Sequence, residues 1–323
     1  MKFIHRFSTF LLVALLAGCA SPGNRSDDER FLGKREQFTL LAKARPLSEF
    51  GFSPSYRYGK DLPFFGAAVL EPNQTASIPF LSANMPVVEL QGKSAGTKLT
   101  VLLDTSSNAS WMQYSCAKEN DLTFLEYTGQ PVPYLGRSGT AGADAYAGVV
   151  PLLHMDQLTL SNAFFYIRMA RGTMMPEVYS RSAPRVDAVL GYDNLRQFQN
   201  IQFNLREGTV SFSSSTPYTP DENRLIGSAD ISTVCSDALA VDGVFYDESA
   251  PIILDFAGDY SFACANAREA VTKQVELGEI FFVNVPTQGL VAREKYARAG
   301  RGMLEKYIVT VCPRKGVVYF ERP

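Results

Sequence analysis

Histidine is nearly missing from this chain: 323 residues contain only His5 and His154. His5 lies in the N-terminal leader. A Ser-His-Asp or Cys-His arrangement would therefore have to use His154, which sits in an apolar, strand-like run where a structural role is the ordinary one. The five cysteines show no zinc-ligand spacing. Charge of one sign is not in excess: the formal net charge is −2, which gives no argument for nucleic acid or an anionic surface. The glycine-rich run from Gly136 to Gly142 lacks the G-x-x-x-x-G-K-[ST] pattern of a phosphate cradle, and no strong helix follows it. What is abundant is Phe and Tyr, in a composition otherwise ordinary for a globular protein, and this suits β structure.

One stretch organises the rest. Val101-Leu102-Leu103 runs into Asp104, then Thr105-Ser106-Ser107-Asn108-Ala109-Ser110, then Trp111. Apolar residues ahead of the acid predict a strand buried on both faces. A carboxylate at its end must be paired, hydrogen-bonded or partly protonated, because burying a lone charge is expensive. The phrase recurs as Ile252-Ile253-Leu254-Asp255-Phe256-Ala257-Gly258-Asp259-Tyr260-Ser261-Phe262. One constant offset, without a gap, sets Asp255 against Asp104, Phe262 against Trp111, Gly243 against Gly92 and Val241 against Leu90. A second echo closes each half. Gly191 to Phe198 with Asn204 to Phe212 is answered by Gly300 to Tyr307 with Cys312 to Phe320. Two halves, each placing an Asp after an apolar strand, imply a duplicated lobe and two carboxylates brought together.

Asp104-Thr105-Ser106-Ser107-Asn108-Ala109-Ser110-Trp111 resembles the Asp-Thr-Gly-Ser-Ser-Asn-x-Trp signature of pepsin-like, retropepsin-related aspartic proteases. Val186-Asp187-Ala188-Val189-Leu190-Gly191 resembles that family's Phe-Asp-Gly-Ile-Leu-Gly strand, and the run from Gly300 to Phe320 its closing helix and hairpin. The likeness covers roughly residues 80 to 323. It implies an all-β, bilobal fold with a few short helices, and a catalytic pair, Asp104 and Asp255. Thr105 would bond across to the other lobe, Ser106 stands where the family has Gly, and Ser107 would hydrogen-bond the Asp104 carboxylate. A flap over the substrate would carry Tyr134, with Tyr146 as the alternative tyrosine, and would use Gly136 and Gly139. The second motif is degenerate: Phe256 replaces the hydroxyl residue, Ala257 the Gly, and Gly258 the Ser or Thr that supports the carboxylate.

The N-terminus reads as an export signal. Lys2 and Arg6 precede an apolar run from Phe10 to Leu16 that is too short to span a bilayer comfortably. Leu16-Ala17-Gly18-Cys19 resembles the bacterial lipoprotein box. That implies cleavage after residue 18, acylation of Cys19 and anchoring to a lipid bilayer. Ala20 in place of Asp favours the outer membrane of the bacterial envelope by family analogy. The expected organisation is signal peptide 1–18, tether 19–30, N-terminal extension 31–79 packed on the first lobe, flap-bearing lobe 80–218 and a shortened lobe 219–323. The second lobe is trimmed because Asp255 to Gly300 is about half the interval from Asp104 to Gly191. Cys116, Cys235, Cys264 and Cys312 allow three pairings in an oxidising envelope, and buried thiols are the equal alternative.

The local reading places hairpins over Pro86–Gln91 with Thr97–Leu103, Ile201–Leu205 with Thr209–Phe212, Ala238–Val244 with Pro251–Leu254, and Ile308–Val311 with Val317–Phe320. Strands are expected over Gly148–Leu160, Ala163–Ala170, Asp187–Leu190 and Phe281–Val285. Helices are expected over Asp193–Phe198, from an Asn266 cap to Leu277, and over Met303–Tyr307. Two carboxylates held about 3 Å apart cannot both ionise, so they share one proton and titrate as a unit. Such a pair needs a bridging water and a cleft, and no cofactor or metal. The expected function is thus an envelope-anchored aspartic endopeptidase, a monomer acting on peptide or protein substrates. The alternative is an inactive relative that binds an extended peptide without cutting it.

Overall fold

Short alternating apolar segments, separated by turns that need left-handed residues, build this chain from strands. In the computed structural model, strands hold 51% of the residues and helices 11%, so the fold is all-β. The structure describes residues 33–54, 64–65, 69–83, 85–93, 96–135, 141–169, 186–235, 238–265, 267–291 and 294–323. The leader, the tether, Cys19, Gly136, Gly139 and Asn266 lie outside them. Among the described residues no helix is long and apolar enough to cross a membrane.

The sequence echo is a topological repeat. In the first copy the strand Val87–Gln91 makes an antiparallel hairpin with Lys98–Asp104, and the latter runs parallel to Ala188–Gly191. Ala188–Gly191 also pairs antiparallel with Trp111–Gln113, which runs parallel to Leu158–Arg168. Leu158–Arg168 folds back on Ala141–Met155, which returns to Val87–Gln91 through His154 and Gln91. The second copy repeats every step. Ala240–Phe245 pairs with Glu248–Leu254, that strand with Ala297–Ala299, that with Phe262–Cys264, and that with Ile280–Gly289. Ile280–Gly289 pairs with Val271–Leu277, which closes a barrel on Ala240–Phe245. Each acid-bearing strand therefore lies between a hairpin partner and a parallel neighbour, buried on both faces as its composition predicts.

A six-stranded sheet joins the copies, in the order Leu225–Asp230, Val317–Glu321, Ile308–Cys312, Asn200–Asn204, Thr209–Ser213, Thr75–Pro79. The two closing hairpins that echo one another in sequence pair side by side, Gln202 opposite Thr310, with Gln202 Nε2 donating to Thr310 Oγ1 at 3.0 Å. The outermost strands, Thr75–Pro79 and Leu225–Asp230, each lead into their own copy. Thr75–Pro79 is thus part of the repeat rather than the end of an extension. Upstream of it, the helix Lys34–Leu41 and strand Arg45–Pro46 do lie on the first copy. Arg45–Pro46 runs parallel to Thr123–Tyr127, and Leu47 and Phe52 pack with Leu125, Val149 and Phe164.

Two local expectations are corrected. Val271–Leu277, expected as a helix, is a strand, because β-branched Val271, Thr272 and Val275 all pair with Ile280–Gly289, Val275 pairs also with Phe245 on the other side, and the turn at Gly278 has φ +56°. The predicted strand Gly148–Leu160 is broken by a hairpin turn at Asp156, whose φ is +55°. The two expected helices after Gly191 and Gly300 are single turns, Tyr192–Leu195 and Arg301–Leu304. All four described cysteines, Cys116, Cys235, Cys264 and Cys312, are thiols. Burial pushes Cys116 up to about 12 and Cys312 up to about 11.

Candidate active site

Asp104 ends the strand Lys98–Asp104 and Asp255 directly follows Glu248–Leu254, at matching points of the repeat. They are 2% and 1% exposed. The backbone N–H of Asp255 donates to Ala299 O at 2.9 Å, and Asp104 sits beside Gly191 in the parallel ladder. Both carboxylates are therefore fixed by sheet registers. The two copies also grip each other here: Thr105 Oγ1 donates to Leu254 O, the residue before Asp255, at 2.5 Å. Leu239 N donates to Thr105 O at 2.8 Å. The cross-lobe hydroxyl expected at Thr105 is in place.

The matching grip from the second loop is apolar. Phe256 is fully buried and stacks on Phe203 of the joining sheet, ring centroids 4.0 Å apart and planes 13° apart. It packs in the main core.

The carboxylates have different surroundings. Asp104 Oδ1 accepts from Ser106 N at 2.9 Å and Ser106 Oγ at 2.7 Å. Asp104 Oδ2 has no hydrogen-bond partner among the described residues. Burial, and then the charge of Asp255, push the Asp104 carboxyl up to about 6, despite the Ser106 bonds. The expected Ser107 bond to Asp104 is not made. Ser106 supplies both donors, while Ser107 Oγ accepts from Ala109 N at 3.2 Å and Ser107 O accepts from Tyr192 N at 2.8 Å. Asp255 Oδ1 accepts from Ala257 N at 3.2 Å, and Asp255 Oδ2 from the Tyr260 phenol at 2.6 Å. Arg298 Nη1 lies 3.6 Å from Asp255 Oδ2, with Arg298 Nη2 3.2 Å from Glu294 Oε2. Burial and the neighbouring Asp255 charge raise the Tyr260 phenol far above its ordinary range, so it remains a donor.

The glycines that close each copy are needed for clearance. A Cβ on Gly191 would stand 2.6 Å from Ala109 O, and one on Gly300 would stand 2.3 Å from Tyr260 O. Ser110 Oγ locks the first loop to the following turn: it accepts from Gly191 N at 2.8 Å and Asn194 Nδ2 at 2.7 Å, and donates to Asp193 Oδ1.

Tyr134 lies in the short strand Pro133–Leu135, paired with the start of Ala141–Met155 through Pro133–Tyr146 and Leu135–Ala141. This is a hairpin, with its tip outside the described residues. The Tyr134 ring is 4.4 Å from Trp111 and 4.8 Å from Tyr166 by centroid, so it stands over the end of the Asp104 loop. Tyr146, opposite Pro133, packs against the main core instead.

Sequence reading missed Tyr260 and Arg298. Both left a signal. Tyr260 takes the register of Ala109 in the repeat, and Arg298 is a charge between two alanines in a strand with the pattern of a doubly buried one. A cleft of about 710 Å³ opens elsewhere, lined by Phe80, Leu205, Gly208, Arg301 and Lys306 among others, and includes neither carboxylate. The paired acids are the better candidate, because two coupled buried carboxylates need a function or a compensation, whereas a surface cleft needs neither. No protein-family model and no curated protein matches this chain.

Proposed function

We propose that this chain is a pepsin-like, bilobal aspartic endopeptidase that hydrolyses peptide bonds with Asp104, Asp255 and one bridging water. The observation that carries the reading is the buried pair itself. Equivalent loops of a duplicated unit deliver two carboxylates, tied by Thr105 across the join, so closely coupled that Asp255 helps hold a proton on Asp104. The ionised member takes a proton from water, whose oxygen attacks the peptide carbonyl carbon. The protonated member gives its proton to the carbonyl oxygen, forming a gem-diol. The C–N bond then breaks as the amine takes the first proton, and a gem-diol hydroxyl returns the second to the pair. The hairpin bearing Tyr134 would cover the substrate. Cys19, acylated, would hold the protein in the bacterial envelope at the outer membrane.

Turnover should fall as pH rises through about 6, where Asp104 loses its proton. The test is digestion of a peptide library with Asp104→Asn and Asp255→Asn as controls. Cleavage by the wild type that both substitutions abolish, and that a peptide mimicking the gem-diol blocks, supports the reading. Cleavage that survives both ends it.

One observation favours a second reading. Both oxygens of Asp255 are already engaged, by Ala257 N, Tyr260 and Arg298. A carboxylate so satisfied suits a peptide-binding relative that does not cut. Peptide binding that persists in both Asp→Asn variants, without turnover in the wild type, would favour that module.

A further inference from the structure

The substitutions that degrade the second motif make room for a different support. A Cβ on Gly258 would stand 2.5 Å from Tyr260 Cε1, and one on Gly300 2.6 Å from Tyr260 Cδ2. Both glycines therefore hold the space in which the Tyr260 ring lies. Its phenol reaches Asp255 Oδ2 at 2.6 Å, delivering the hydroxyl that position 258 lacks. Arg298 adds a cation on the same oxygen, its side chain 11% exposed and anchored on the far side by Glu294.

We propose that Tyr260 and Arg298 are positioning residues that make the pair permanently asymmetric, holding Asp255 as the ionised member so that the shared proton resides on Asp104. Among the described residues, the groups in contact with Asp255 stabilise its charged form. Tyr260 comes from its own loop and Arg298 from the adjacent strand, and both stabilise a carboxylate. Asp104 faces it from the other copy, and Asp259, on the same loop, is exposed to solvent. Glu294 is engaged by Arg298. Among the described residues Asp104 has no ion-pair partner, and the Arg298 charge, which also reaches it, lowers it less than burial and Asp255 raise it; its Oδ2 is left without a donor among the same residues. That oxygen can carry the proton without losing a bond. Within the endopeptidase reading, on which only this consequence rests, Asp255 becomes the base that takes the proton from water and Asp104 the acid that protonates the carbonyl.

The test reads the proton directly. The full-length chain, in detergent micelles, is labelled with [¹³C]carboxyl aspartate. Its carboxyl resonances are assigned through Asp104→Asn and Asp255→Asn and followed from pH 4 to 8. The Asp104 resonance should move with a midpoint of about 6. Arg298→Gln and Tyr260→Phe should divide the movement between both resonances, and Arg298→Lys, which keeps the cation, should restore it to Asp104. Equal movement of both resonances in the wild type overturns the proposal, as does movement confined to Asp104 in both Arg298→Gln and Tyr260→Phe. Tyr260→Phe keeps the ring that fills the space beside Gly258, so it decides alone if Arg298→Gln does not fold. The same samples are assayed for peptide cleavage. A wild type that does not cut removes the endopeptidase, while the resonances still decide where the proton lies.

Discussion

Replacing Asp104 with Asn removes a titration that the fold works against. The carboxyl rises from an ordinary value of 3.8 to about 6 on folding. Between those values the native state binds more protons than the unfolded chain, so stability falls as pH rises. The stabilisation is complete below about 4 and lost once pH has passed through about 6. The rise from 3.8 to about 6, at about 1.36 kcal/mol per tenfold change in proton affinity, makes the total about 3 kcal/mol. Asn is neutral throughout and can keep its side-chain carbonyl on the two Ser106 donors. Asp104→Asn should therefore match the wild type near pH 4 and be up to about 3 kcal/mol more stable at pH 8. Urea titrations at unit pH steps measure this, followed by the fluorescence of Trp111, the only tryptophan. Titrating groups that do not interact with Asp104 cancel in the difference between the two proteins. A difference that stays flat from pH 4 to 8 would refute the argument, since the carboxyl would then be neither desolvated nor coupled. In an Asp255→Asn background the difference should shrink, because one cause of the rise is gone.

Further outcomes follow from contacts at the same site. Thr105→Val deletes the bond to Leu254 O and should cost about 1–3 kcal/mol in urea unfolding, the penalty for a buried carbonyl left without its donor. Ser110→Ala frees Gly191 N, Asn194 Nδ2 and Asp193 together and should cost about 2–4 kcal/mol. Gly258→Ser, which restores the expected hydroxyl, should destabilise through collision with the Tyr260 ring. Adding Tyr260→Ala should recover part of that loss, and a double-mutant cycle with no coupling would contradict the clearance argument. Phe256→Thr, which puts a hydroxyl at the position matching Thr105, should cost about 3–5 kcal/mol, because the stack on Phe203 goes.

The frame was legible in the sequence wherever a pattern is tied to backbone geometry. Asp104 and Asp255 follow runs of three apolar residues, and such runs form only buried strands or buried helices. The constant offset between them fixed the register of a duplication. The structure shows that duplication extends from Thr75–Pro79 to Leu225–Asp230 at the sheet edges, where no echo survives. Edge strands such as Thr75–Pro79 are held by one ladder alone, so many sequences satisfy them and similarity fades there. Val271–Leu277 misled because Asn266 has the side chain of a helix cap, while the ladder on both sides was invisible from the chain alone. Ser107 misled for a different reason. Its role was transferred from a loop with Gly at the preceding position, and Ser106 brings its own hydroxyl, which reaches the carboxylate first.

The site residues that were missed share a cause. Tyr260 and Arg298 matter only through one another and through Gly258 and Gly300, which are distant or unremarkable in sequence. Taken singly, Phe256, Ala257 and Gly258 look like losses from a motif. Taken with their neighbours, they are a consistent alternative. Phe256 exchanges a hydroxyl grip for a stacked ring, which joins the copies through dispersion and burial rather than a hydrogen bond. Gly258 gives up its own side chain so that a phenol two residues later can reach the same carboxylate. The sheet registers place Asp255 without help from these side chains, because Asp255 N is bonded to Ala299 O. The position of the Asp255 backbone thus does not depend on which side chains support its carboxylate. A duplicated fold can become chemically asymmetric in this way without moving either acid, and an unequal pair requires that asymmetry.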